Sequence, residues 1–326
     1  MNRRKFIRRL GAFFLTTASL AEAQQPKKIW RIGYLSLAAK SDVRVEAFVH
    51  GLRDLGWVDG QNIMIDYRWA ANKSERLAAL AAELVAVNVD ILVAAATPAV
   101  HAAKNATKTI PIVMTGVADA VGSGLVTSLA QPGGNITGTT NILPELASKR
   151  LGLLKEILPK LSRLAFLAYG PDPAHKLFVK EAQEAAQSFK MRFQPLVLSG
   201  VNEIEGAFSA MKKGAAGALI VQTLFPAVLG QGPRIAELAI KNRIPTISDG
   251  YQFAEAGGLM FYGPDPLAGH RRAAIFVDKI LKGRKPAELP VEQPMKFDFV
   301  INLQTAKKIG VNIPQSVLFR ASKVIK

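Results

Sequence analysis

Cysteine is absent from all 326 residues, which excludes disulfides, thiolate metal sites and a cysteine nucleophile at once. Histidine is scarce: His50, His101, His175 and His270 are the whole set. They lie far apart and none is followed by another histidine three or four residues on, so no metal site is expected. Aromatics make up only 7%, whereas hydrophobic residues reach 49%; that content excludes a disordered or fibrous chain and suits helices packed over buried parallel strands. Also missing are a Gly-x-Ser-x-Gly elbow, a phosphate loop ending in Gly-Lys-Ser/Thr, and a Gly-x-Gly-x-x-Gly after the first strand. No catalytic set and no cofactor are therefore expected. Acidic residues number 25 against 42 basic ones, a formal charge of +17. The excess is spread along the chain, which reads as a solvated basic surface rather than a nucleic-acid face.

The amino end is a leader by its pattern. Arg3, Arg4, Lys5, Arg8 and Arg9 precede an apolar stretch from Leu10 to Leu20 diluted by Thr16, Thr17 and Ser19, and Ala21-Glu22-Ala23 supplies small residues two apart. This is the layout of a secretory signal peptide over residues 1–23, cleaved after Ala23. The stretch is too short for the roughly 20 apolar residues that a span requires. Asn2-Arg3-Arg4-Lys5-Phe6-Ile7 also resembles a twin-arginine export motif. With no cysteine to carry a lipid, the mature protein is expected to be free in the periplasm.

What the chain does have is a duplication. Asp90 to Asp119 and Gly217 to Asp249 each begin with a short apolar strand, Ile91-Leu92-Val93-Ala94 and Ala218-Leu219-Ile220-Val221. Each breaks at Pro-Ala-Val, in Thr97-Pro98-Ala99-Val100 and Phe225-Pro226-Ala227-Val228. Each resumes as a helix closing on Lys-Asn and enters a second strand, Ile110 to Val113 or Ile244 to Ile247, with an aspartate beyond it. Two βαβ units in separate halves imply an α/β protein of two doubly wound parallel-sheet lobes joined by a hinge, with strand-ending loops facing a common cleft. Strands at Ile29 to Leu35 and Ile63 to Trp69, with helices at Val43 to Leu55 and Arg76 to Val87, complete the first half. Ile136 to Asn141 reads as a first crossing and Gly258 to Tyr262 as a last strand with a second crossing. Lys282 to Pro294 reads as a linker back to a final strand and helix. The lobes are expected to comprise residues 28–138 with 264–290, and residues 139–263 with 291–326.

Several segments together resemble one family. They are Gly51-Leu52-Arg53-Asp54-Leu55-Gly56-Trp57 with Gly60-Gln61-Asn62, the run Ala118 to Val126, Pro132-Gly133-Gly134-Asn135-Ile136-Thr137-Gly138, Lys149-Arg150-Leu151-Gly152-Leu153-Leu154-Lys155, Gly257-Gly258-Leu259 to Tyr262-Gly263, and Pro294-Met295-Lys296-Phe297. They are similar to the ABC transporter substrate-binding proteins related to the tryptophan-binding protein TrpX, over nearly all of residues 28–315. The resemblance implies a type I periplasmic binding protein fold with three crossings. It also implies a small-molecule solute as ligand, a permease in the inner membrane as partner, and no nucleic acid. Members that bind aromatic amino acids make an aromatic or branched amino acid the first choice of ligand. The protein is expected to be a monomer.

The loops at strand ends offer binding chemistry. Thr97, before Pro98, suits the N-cap of a helix whose dipole attracts a carboxylate, and Ser36 ends the first strand in the same way. Asp119 and Asp249 follow strands and suit a ligand ammonium or hydroxyl. Tyr169, Gln222, Thr223, Tyr251 and Tyr262 complete the expected wall. A transcription regulator of this fold would need a helix-turn-helix at its amino end, where the leader stands instead. A ligand-sensing module for a membrane receptor and an exported α/β enzyme remain as alternatives to a solute-binding protein.

Overall fold

The computed structural model describes residues 28–40, 43–222 and 230–326. The expected leader, Thr223 and the second Pro-Ala-Val break lie outside the described residues. Two sheets organise the rest. The first contains β1 (Trp30–Ser36), β2 (Ile63–Trp69), β3 (Ile91–Ala95), β4 (Ile112–Val117) and β5 (Ile136–Thr140). Their order is β2-β1-β3-β4-β5 and every pairing is parallel. Helices α1 (Val43–Asp54), α2 (Leu77–Ala86) and α3 (Thr97–Ala106) make the crossovers. All five residues of β3 are buried, as a strand covered on both faces requires, and this is why it reads as an unbroken apolar run.

A second sheet is larger, with order β12-β11-β10-β9-β8-β6-β7. Its strands are β6 (Arg163–Tyr169), β7 (Arg192–Leu198), β8 (Ala218–Val221), β9 (Thr246–Ser248), β10 (Met260–Pro264), β11 (Phe297–Asn302) and β12 (Lys323–Ile325). Helices α4 (Ala147–Ile157), α5 (His175–Ser188), α6 (Ile204–Lys213), α7 (Gly232–Lys241) and α8 (Gln252–Glu255) accompany it, with α10 (Leu303–Ile309) and α11 (Gln315–Leu318) near the carboxyl end. One pairing breaks the parallel rule expected for both sheets: β11 runs antiparallel to β10. The chain leaves β10 at its carboxyl end, builds α9 (Pro266–Leu281) against the first sheet, and re-enters the second sheet from the side where it left. The returning strand must therefore point the other way.

Helix α9 packs on α1 and on β4 and β5. The approach of α1 to α9 is close enough that a Cβ on Gly51 would lie 2.6 Å from the Arg271 carbonyl oxygen. This places a late segment of the chain in the first lobe. The Ile136–Asn141 segment, expected to be a crossing, is instead mostly the edge strand β5. Its ladder with β4 begins at Ile112 and Ile136, and the crossing starts only at Asn141. The returning crossing runs beside β5, with Glu292 N–H donating to Gly138 O and Thr140 N–H to Glu292 O, both at 3.0 Å. The second strand of each repeat also shifts, β9 opening at Thr246 rather than Ile244 and β4 at Ile112 rather than Ile110. Pro111 has no N–H to donate, and β4 starts one residue later and runs to Val117. Helix α11 and strand β12 are absent from the sequence reading.

One contiguous buried apolar cluster joins the sheets, from Leu35 and Ala94 in the first to Tyr169, Leu198 and Val221 in the second. The carboxyl ends of both sets of strands meet there.

Candidate functional site

On the first lobe, Ser36 closes β1 and is buried, its Oγ accepting from Ala38 N–H at 3.1 Å. The turn from β3 into α3 is strained. Ala96 lies at φ 77, ψ 150, a region that essentially only glycine occupies. The expected N-cap at Thr97 is corrected by this geometry. Ala96 takes the cap position, α3 starts at Thr97, and the Thr97 hydroxyl accepts from Ala118 N–H at 3.2 Å, tying the helix start to the end of β4. Asp119 follows β4, half-buried, and its Oδ1 accepts from Val121 and Gly122 N–H at 3.0 Å each. That bond pattern leaves one carboxylate oxygen out of the turn. A small cavity under this wall is lined by Ser36, Arg44, Ala96, Gly116 and His270.

The second lobe supplies a buried polar set at the ends of β6, β8 and β9. Tyr169 N–H donates to Gln222 Oε1 at 2.7 Å, and Gln222 Nε2 donates to Asp172 Oδ2 at 2.5 Å. Asp172 Oδ1 accepts from Ala174 N–H at 3.1 Å. Gln222 is 0% and Asp172 2% exposed. Burial raises the Asp172 carboxyl to about 6 despite these bonds and the neighbouring His175, and the Asp249 charge pushes the same way. Asp249 is 6% exposed and faces Arg150 of α4, itself 1% exposed, across 3.9 Å. Arg150 Nε donates to Tyr262 O at 2.9 Å and Nη1 to Leu143 O at 2.8 Å. One guanidinium thus ties the first crossing, the last residues before the second crossing, and the end of β9 together. Desolvation lowers the Arg150 pKa, and the Asp249 charge works against that shift.

The fold brings Ser36, Thr97 and Asp119 to the strand ends of one lobe, and Tyr169, Gln222 and Asp249 to those of the other. Two tyrosines sit elsewhere. The Tyr251 ring packs edge-on against Phe261 at 5.3 Å with Lys323 Nζ 5.9 Å from its centroid, beside the outer strands of the second sheet. Tyr262 stacks on Phe297 and meets Phe299 edge-on at the crossings. Sequence reasoning missed Arg150 and Asp172 as polar residues of this region. Both positions look local and ordinary, one within an amphipathic helix and the other within Gly170-Pro171-Asp172-Pro173. Where the crossings converge there is a separate cavity of about 440 Å³, lined by Thr139, Asn141, Arg272, Glu292, Met295 and Lys296 among others.

The lobes touch across the cleft. A Cβ on Gly122, in the first lobe, would lie 2.7 Å from Leu177 Cδ2 on α5 of the second. A family model described as ABC transporter substrate binding protein matches residues 38–325. A tyrosine-binding protein of Clostridioides difficile is 30% identical over 270 residues, 83% of this chain and 77% of that protein. An ABC domain in complex with L-Trp from Streptococcus pneumonia aligns with a TM-score of 0.82 at 26% identity. A ligand-free, open substrate binding protein with adhesive properties from Clostridium difficile aligns at 0.68 and 28% identity. In both alignments 91% of this chain and 100% of the other are covered.

Proposed function

The chain belongs to the ABC transporter substrate-binding protein family, and on that premise we propose that it captures an aromatic or branched amino acid, or a similar carboxylate, by closing its two lobes and delivers it to an inner-membrane permease. The observation that carries this reading is the convergence of buried polar strand ends from both sheets, Ser36 and Thr97 on one side, Tyr169, Gln222 and Asp249 on the other. Such a set encloses a small polar solute and offers orienting groups to it. The tyrosine-binding relative and the L-Trp complex support an aromatic amino acid as first choice.

In this reading the ligand carboxylate meets Ser36 and the start of α3, where the helix dipole favours an anion. The ammonium meets a cleft carboxylate, Asp119 or Asp249, and the side chain meets Tyr169, with Tyr262 at the hinge. The moving bodies are residues 28–138 with 264–290 and residues 139–263 with 291–326. The protein binds and releases its solute unchanged, works as a monomer, and reaches the periplasm by loss of residues 1–23. None of the described helices is long and apolar enough to cross a membrane. Small-angle scattering with and without L-tyrosine or L-tryptophan tests this: compaction with the amino acid recovered intact is expected. A chemically altered ligand, or no change of shape at saturation, would overturn it.

A further inference from the structure

We infer that Asp172, held by Gln222, is the carboxylate that receives the ligand's ammonium, in place of Asp119 or Asp249. This rests on the amino-acid reading above and narrows it. The argument is one of charge. Asp249 already faces a buried cation, Arg150, at 3.9 Å. Asp119 is only half-buried and keeps contact with water, so its charge does not require a cation from outside. Asp172 has no ion pair among the described residues; its bonds come from the Gln222 amide and the Ala174 N–H, both uncharged. The segment Thr223 to Leu229 contains no basic residue that could neutralise it.

The groups facing Asp172 are few. His175 lies one turn on, its Nδ1 2.8 Å from the Asp172 carbonyl oxygen. Gln222 reaches it from the end of β8, and Asp249 faces it from the end of β9 with Arg150 behind. Arg150, Asp249 and Asp172 together therefore bury one positive and two negative charges when both acids are ionised. A carboxylate removed from water without a cation is costly, and a primary ammonium is the complement the site lacks. The raised position of Asp172, to about 6, agrees with an acid whose partner arrives from outside. Gln222 is the positioning residue. Its amide bridges Tyr169 N–H to the carboxylate and fixes the oxygen that the ammonium meets.

Calorimetry at about pH 5 and pH 7.5 decides it, using L-tyrosine, L-tryptophan and their analogues lacking the amino group, which keep the carboxylate and the ring. The wild type should bind the amino acids at least about tenfold more weakly at the lower pH, because a carboxyl titrating near 6 must lose its proton to accept the ammonium. The deaminated analogues should bind far more weakly and without pH dependence. Asp172→Asn, which keeps the shape and an acceptor for one of the two N–H donors, Ala174 N–H or Gln222 Nε2, should lose about tenfold or more at pH 7.5 and show a flat profile. The wild-type profile and the analogues do not depend on that variant folding. Equal binding of amino acids and deaminated analogues, or an Asn variant with wild-type affinity and profile, would overturn the assignment and leave the amino-acid reading standing. Failure of every amino acid to bind the wild type at either pH would overturn both.

Discussion

Replacing Asp249 by asparagine removes the carboxylate that, among the described residues, forms an ion pair with the 1% exposed guanidinium of Arg150. At 3.9 Å and an effective dielectric of about 20, Coulomb's law puts the attraction near 4 kcal/mol. Breaking a buried pair by losing one partner costs about 3–5 kcal/mol, since the survivor is left charged and uncompensated. Arg150 would keep its bonds to Leu143 O and Tyr262 O, and two carbonyl dipoles do not replace a charge. Unfolding entropy of roughly 2 cal/mol/K per residue over about 300 residues makes a loss of about 4 kcal/mol equivalent to a melting point lowered by roughly 6 °C. Differential scanning calorimetry of ligand-free protein at neutral pH measures this. The joint variant Arg150→Met with Asp249→Leu should recover most of the loss, because an apolar pair of similar volume carries no orphaned charge. An Asp249→Asn protein that melts with the wild type, or a joint variant worse than the single one, would refute the reasoning.

Ala96→Gly should stabilise the protein by about 1 kcal/mol in urea titrations, relief of about 1–3 kcal/mol of strain at φ 77 outweighing the added chain entropy of glycine. Gly122→Val should weaken ligand binding in calorimetry by displacing the Asp119 carboxylate and the Leu177 side chain, because its Cβ would sit 2.2 Å from Asp119 Oδ2 and 2.7 Å from Leu177 Cδ2; unchanged affinity would contradict this. Asp172 makes the ligand-free protein less stable as pH rises. Its folded pKa of about 6 exceeds the unfolded value, so the unfolded chain gives up the proton first between about pH 4 and 6. The slope amounts to at most about 3 kcal/mol over that range, and urea midpoints across it should show a flatter profile for Asp172→Asn.

How much of this was legible in the sequence differs by scale. The βαβ repeats, the short buried strands and the amphipathic helices are local patterns, and the structure places most of them within one or two residues of the sequence reading. The antiparallel return of β11 was not legible, because strand direction depends on where the chain re-enters the sheet. Thr97-Pro98 has the form of an N-cap followed by N1, yet the fold puts the cap on Ala96 at a backbone conformation no alanine advertises. Asp172 sits between prolines that signal only a turn, and its meaning comes from burial under Gln222. Arg150 follows Lys149 on a helix, where a basic pair normally faces solvent. Only tertiary contact with both crossings shows that one of the two is buried. Polar residues whose role is set by long-range burial are the ones a local pattern cannot separate from the solvated surface.

The most direct test of the central claim is a calorimetric titration of the mature protein with a panel of aromatic and branched amino acids, sugars and nucleosides. The account predicts saturable binding of at least one amino acid at micromolar or tighter affinity, about 8 kcal/mol or more, with sugars and nucleosides inert. Tight binding of an uncharged sugar or nucleoside with the amino acids inert would contradict it.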